Sequence, residues 1–186
     1  GEVMSVGRTF EESFLKGIRS LEIGTCHLEL AKFQNKTKQE LMKYIVKGTD
    51  DRIFAIAQLL RLGVSPEEIA QITAIDYFFL KKIQKIISFE NELSKNKSDI
   101  YFLKEAKKIG FSDKEIAKLW NTSENEIYFL RQKNNIVPVF KMIDTCASEF
   151  LSYVPYFYST YEDENESIVS ENKKIIVLGS GPIRIG

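Results

Sequence analysis

Leu62-Gly63-Val64-Ser65-Pro66-Glu67-Glu68-Ile69-Ala70-Gln71 recurs 47 positions later as Ile109-Gly110-Phe111-Ser112-Asp113-Lys114-Glu115-Ile116-Ala117-Lys118. In each copy a glycine stands where a helix should stop, and a serine is placed to accept the amide of the glutamate three residues on. Pro66 follows Ser65 directly, at the first helical position, where no amide hydrogen is needed. Each copy is preceded by an apolar-periodic stretch and followed by a short link into another. The pattern predicts helix, Gly-x-Ser turn, short helix, turn, helix, made twice.

Working outward, the same Ser/Thr-x-x-Glu spacing pairs Thr9 with Glu12, Thr37 with Glu40 and Ser123 with Glu126. With Ser65/Glu68 and Ser112/Glu115 these predict five capping boxes, in which hydroxyl and glutamate each satisfy an orphan amide. A good cap is worth about 1 kcal/mol, so they predict five helix starts. Ile75, Phe79, Ile83, Ile86 and Leu93 step along one helix, and Phe102, Leu103, Ala106 and Ile109 along another. Residues 53–62 are apolar nearly all round, the mark of a central buried helix. Gly48, like Gly63 and Gly110, punctuates a helix end. The expected fold is mainly α: a bundle of seven or eight short helices from residue 9 to about 135, with short flanking strands from truncated neighbouring α/β domains. Tyr77, Phe78 and Phe79 are consecutive, so one helix cannot turn all three to one side. A crowded bundle burying all three is the plainer expectation. The alternative puts Tyr77 and Phe78 on the surface as a self-association patch.

Beyond Asn135 the character changes. Val137-Pro138-Val139-Phe140-Lys141-Met142-Ile143-Asp144 reads as extended, Thr145-Cys146-Ala147-Ser148-Glu149-Phe150 as one helical turn, and Pro155-Tyr156-Phe157-Tyr158-Ser159-Thr160-Tyr161 as an aromatic strand. Residues 162–172 are acidic and read as a solvated connector. Lys173-Lys174-Ile175-Ile176-Val177-Leu178 then reads as a buried strand running into the turn Gly179-Ser180-Gly181-Pro182-Ile183-Arg184-Ile185-Gly186. That turn is neither G-x-G-x-x-G nor a P-loop. Arg184 has two readings, a contact to an anion at the loop or a pin to a carboxylate elsewhere. A lone strand has no ladder partners, and Gly1-Glu2-Val3-Met4 opens without an initiator methionine. The expectation is a segment from the middle of a larger protein.

The 186 residues are 44% hydrophobic and 28% charged, which places them among globular chains. Basic and acidic side chains balance at 26 each, and lysines outnumber arginines 20 to 6. Both facts count against a nucleic-acid binder relying on a broad positive field. A tandem helix-turn-helix DNA-binding regulator is still the alternative of a different class. Its recognition helices would open with Ala74-Ile75-Asp76-Tyr77-Phe78-Phe79-Leu80 and Ser123-Glu124-Asn125-Glu126-Ile127-Tyr128, apolar and acidic where base edges and phosphates call for Arg, Lys, Asn or Gln. Cys26 and Cys146 lack paired spacing, so reduced thiols in a cytoplasmic protein are expected. The single histidine, His27, has no second ligand pair near it, so no metal site is expected, and no base stands ready to activate Cys146. No apolar run approaches the roughly 18 residues needed to span a bilayer, and no signal-like segment is visible.

Specific strings go further. Gly1-Glu2-Val3-Met4 through Gly7-Arg8-Thr9, Arg19-Ser20-Leu21-Glu22 with Gly24, Ile75-Asp76 with Phe79-Leu80, Lys141 with Asp144-Thr145-Cys146-Ala147 and Glu149-Phe150, Pro155-Tyr156 with Tyr158-Ser159-Thr160-Tyr161-Glu162, and Val177 through Gly186 resemble the large subunit of carbamoyl-phosphate synthase. The resemblance runs the length of the chain in order. It implies the helical oligomerization domain joining two ATP-grasp synthetase halves: residues 1–8 as the end of the first half, 9–140 as the helical domain, 141–172 as an extended connector, and 173–186 as the first strand and glycine loop of the second half. It also implies a parent ligase that makes carbamoyl phosphate from bicarbonate, glutamine-derived ammonia and ATP, with magnesium or manganese, for arginine and pyrimidine synthesis. Implied partners are the rest of the large subunit, a separate or fused glutaminase, and further copies of the chain. No catalytic or metal-binding motif of that family falls in this window, so no cofactor is expected in the segment itself. Gly179, Ser180, Gly181, Pro182, Arg184 and Gly186 carry over as a loop beside the second synthetase site, not as catalytic groups.

Overall fold

The computed structural model describes residues 2–146, 149, 156–179 and 184–185. Among them run nine helices: α1 Phe10–Ser20, α2 Ala31–Gln34, α3 Lys38–Ile45, α4 Arg52–Arg61, α5 Pro66–Thr73, α6 Tyr77–Lys95, α7 Ile100–Ile109, α8 Asp113–Trp120 and α9 Glu124–Lys133. The chain is mainly helical, as expected, with more helices than the seven or eight anticipated. The four residues of α2 follow Leu30, which offers no side-chain cap, so its start leaves no mark in the sequence.

All five expected caps stand at helix starts, and each hydroxyl accepts from the amide of its glutamate. Only Thr37/Glu40 and Ser123/Glu126 close the reciprocal box. Elsewhere tertiary demands redirect the glutamate. Glu12 accepts from the Arg8 amide at 2.7 Å and pairs with Lys16 at 2.8 Å. Glu115 is buried beside the Cys26 thiol, 4.0 Å away. Two further starts are capped by Asp76 and Asp99, each accepting an amide of the first turn.

The duplicated pattern is a structural repeat. Gly63 and Gly110 both have positive φ, 79° and 105°. In each copy the following amide reaches back to close the helix end, Val64 N to Leu59 O at 3.0 Å and Phe111 N to Ala106 O at 2.9 Å. The second helices end alike in left-handed residues, Ala74 and Asn121. Val64 and Ile69 of one copy, and Phe111 and Ile116 of the other, are buried in the common core.

The central position belongs to α4, whose Phe54, Ala55, Ile56, Ala57, Leu59 and Leu60 are all buried. It packs on α2, α3 and α6. Along α6 the inward stripe is Leu80, Ile83, Ile86, Ile87 and Leu93. Phe79, expected on that stripe, is not part of it, because the helix turns Leu80 inward instead. Each large apolar side chain so buried contributes roughly 1.5–3 kcal/mol.

After α9, β2 (Val139–Met142) and β3 (Phe157–Thr160) pair antiparallel, Val139 opposite Thr160 and Met142 opposite Phe157. The acidic connector is exposed but not wholly detached. Glu166 N donates to Phe140 O at 2.8 Å, while the Phe140 and Met142 amides donate to the Asn165 and Glu166 side chains. Of the expected turn at 145–150, Glu149 N reaches Cys146 O at 2.9 Å, while Ala147, Ser148 and Phe150 lie outside the described residues. The run 175–178, read as a buried strand, forms no ladder, and its four side chains are 83–93% exposed. No neighbouring strand or helix covers it among the described residues, and a strand without a partner leaves its backbone to water. A short antiparallel pair instead joins β1 (Glu2–Val3) to β4 (Arg184–Ile185).

Candidate functional site

A cluster of four contacting aromatic rings lies where α1 crosses the start of α6. Phe10 and Phe14 are one turn apart on α1, and their rings stack at 5.3 Å. Phe10 meets Phe78 edge-on at 6.4 Å and Phe79 at 5.6 Å, and Phe78 meets Phe79 at 5.4 Å. Tyr77, Phe78 and Phe79 are 41%, 53% and 45% exposed, so the expectation that a crowded bundle buries all three is corrected. The reason is positional. The three residues form the first turn of α6, and Asp76 fixes that turn by accepting from the Phe78 amide at 2.7 Å.

Charged groups around this face are already paired within the chain. The Tyr77 hydroxyl donates to Glu67 at 2.6 Å, and Lys81 sits over the Tyr77 ring. Lys82 lies over Phe78, and Lys82 and Lys85 both reach the buried Glu11 of α1, at 3.6 and 3.0 Å. Burial alone would raise the Glu11 carboxyl, but its own backbone amide and the two lysines bring it below its ordinary value. The result is an apolar face with a neutralised rim, the composition expected of a contact surface.

Two partly buried polar knots tie the helices of the bundle to one another. In the first, Glu90 of α6 takes both arms of Arg61 from α4 and the Nε2 of His27, 3.1 Å away. Burial works to raise the Glu90 carboxyl, but the His27 and Arg61 hydrogen bonds hold it down at about 2. In the second, Asp113 at the start of α8 accepts from Lys107 of α7 at 2.7 Å and from Arg131 of α9 at 2.6 Å. Tyr161 lies under both cations, 5.1 Å from Lys107 and 5.7 Å from Arg131. Arginine forks that bind carboxylates through two donors fix orientation as well as distance.

Of the other residues singled out, Gly179 is exposed, with no heavy atom within 4 Å of where a Cβ would stand. Ser180, Gly181, Pro182 and Gly186 lie outside the described residues, and the backbone of Arg184 pairs with Val3. Cys26 and His27 are loop residues, and among the described residues no three His, Cys, Asp or Glu side chains gather at metal-binding distances. At the helix starts that a DNA reader would present, Asp76 caps α6 and Glu124 and Glu126 open α9, with no cation in either first turn. Among the described residues, no helix is long and apolar enough to cross a membrane.

Sequence reasoning missed Phe10 and Phe14 as half of the aromatic face. Their spacing of four on an amphipathic helix was the available signal. Comparison with known families gives the fold its place. The model of the carbamoyl-phosphate synthetase large chain, oligomerisation domain, matches residues 2–135, from β1 to just past the end of α9. This chain belongs to that family.

Proposed function

We propose that this segment is the self-associating spacer of a carbamoyl-phosphate synthase large subunit, with the α1/α6 aromatic face as its contact with a second copy. The exposed Tyr77, Phe78 and Phe79, with Phe10 of α1 packed against the latter two, on a domain of this family, are the observation that carries the reading. The spacer role rests on the buried Arg61–Glu90 and Asp113–Arg131 links, which favour a rigid connection over a flexible linker. In this reading residues 1–8 end the first ATP-grasp half, 9–140 form the helical domain, 141–172 connect, and 173–186 begin the second half. The exposed run 175–178 would then find its ladder in that second sheet.

The parent ligase would use bicarbonate, glutamine-derived ammonia and ATP with magnesium or manganese, in the cytoplasm, for arginine and pyrimidine synthesis. Its partners would be the remaining large subunit, a glutaminase and further copies, and neither nucleic acid nor membrane. The segment itself supplies no catalytic group and should hydrolyse no ATP. The glycine loop 179–186 would border the second synthetase site.

Sedimentation velocity over a roughly hundredfold concentration range tests the association by mass action. The expected result is a concentration-dependent rise above the 21.4 kDa monomer, abolished by Phe78→Ser. A contact of this kind should bury upward of about 1,000 Å² in total. A strict monomer at every concentration would refute the self-association face, and ATP turnover by the purified chain would refute the non-catalytic role.

A further inference from the structure

A cavity of about 280 Å³ opens between α1, α7, α8 and the end of β3, with Lys16, Arg19, Lys107 and Arg131 in its wall. Three carboxylates share the lining, but they do not match the cations one for one. Glu12 is taken by Lys16, and Glu124 is exposed at the rim. Asp113 alone serves both Lys107 and Arg131, which are nearly buried. Arg19 is left over. Its guanidinium donates once, to Gly110 O at 2.6 Å, and among the described residues no carboxylate lies within 4.0 Å of it. Four buried or half-buried cations, Lys16, Arg19, Lys107 and Arg131, therefore face two carboxylates of like burial, Glu12 and Asp113, across a space large enough for a small ion and its water. Burying positive charge without a counter-charge is costly, and a guanidinium with idle donors is a ready clamp for an oxyanion.

We propose that this cavity is a binding site for a small oxyanion, a phosphate or a carboxylate, held by Arg19 with Lys107 and Arg131 behind it. The state of the cations agrees. Burial lowers Lys107 to about 8, with Arg131 and Arg19 pushing the same way against the pull of Asp113. Burial also lowers Arg19. An anion in the cavity would relieve both. It would also tie α1 to the second repeat, since Arg19 comes from one and Lys107 and Arg131 from the other. The site is remote in purpose from the aromatic face and does not depend on self-association.

Thermal unfolding of the 186-residue chain in sodium phosphate, sodium acetate and sodium chloride at matched ionic strength near neutral pH is the test. The expected result is a saturable rise in Tm with phosphate or acetate but not with chloride, and which of the two acts tells phosphate from carboxylate recognition. Arg19→Gln should weaken that ligand about tenfold or more. Should the variant fold poorly, lysine NMR titration of the unaltered chain gives a second reading: bound anion raises the Lys107 pKa above its starting value of about 8. Equal Tm in all three salts, an undiminished response in Arg19→Gln, or a Lys107 titration indifferent to the effective anion would each overturn the proposal.

Discussion

Arg61 holds Glu90 through two parallel hydrogen bonds, Nε to Oε1 at 2.9 Å and Nη2 to Oε2 at 2.7 Å. A third donor of the same guanidinium, Nη1, reaches Leu28 O at 2.9 Å, so one side chain joins α4, α6 and the loop before α2.

Acid should loosen this joint. Glu90 titrates at about 2 in the folded chain and near 4.5 in the unfolded one. A lowered carboxylate value stabilises the fold above the unfolded value, and the gain is lost as pH falls from about 4.5 towards 2. For a mostly buried group it amounts to about 3 kcal/mol. Urea unfolding of the native chain should therefore show stability falling through that window, and Glu90→Gln should be weaker at neutral pH with a flatter acid dependence. Matching slopes for the two proteins would show that Glu90 is not the group responsible.

Lys107 contributes a penalty instead of a gain, and its window is alkaline. Its folded value of about 8 lies below the ordinary 10.5, so between these the unfolded state holds the extra proton. The burial penalty is present in full below about 8 and is relieved as pH climbs towards 10.5. Relative to Lys107→Met, the native chain should gain stability across that interval. A constant difference between the two would contradict the assignment.

The two repeat glycines should respond differently to alanine. At Gly63, φ is 79° and open space surrounds the missing Cβ, so the cost is the left-handed backbone alone, about 1–2 kcal/mol. At Gly110, φ is 105° and a Cβ would stand 3.0 Å from Glu12 Cα and 3.3 Å from its carbonyl oxygen. Backbone atoms cannot swing aside, so Gly110→Ala should lose distinctly more. Equal losses by chemical denaturation would mean that α1 shifts freely against α7.

Ser123→Ala removes the hydroxyl half of a complete capping box, in which Ser123 accepts from Glu126 N and Glu126 from Ser123 N. The expected loss is about 1 kcal/mol. Because α9 carries Arg131, fraying at its start should appear in hydrogen exchange of α9 before that of α4, and uniform exchange changes would argue against a local effect.

Much of the fold was legible because caps and periodicity are local. Ser65, Ser112 and Ser123 each announce a helix within a few residues of sequence, and the composition of residues 53–62 discloses the burial of Phe54 to Ala57, Leu59 and Leu60, though not the exposure of Leu62. What was not legible depended on distance. Whether Glu12 closes its own box or bonds the Arg8 amide is decided by how the preceding chain folds back onto α1. Arg61 and Glu90 are 29 positions apart, and Lys107, Asp113 and Arg131 come from three helices, so no spacing rule connects them. The aromatic face was half visible: Tyr77-Phe78-Phe79 was noticed as a string, but Phe10 became its neighbour only through the crossing of α1 and α6.

The long α6 gives the bundle a mechanical asymmetry. Its nineteen residues extend about 28 Å. One end carries Phe78, and near the other Leu93 O receives the indole N–H of Trp120 at 2.8 Å. Between them the helix packs on α1, α4, α5, α7 and α8. The helix is thus a single rod that carries the aromatic turn at one end and, through Trp120, holds α8 of the second repeat near the other.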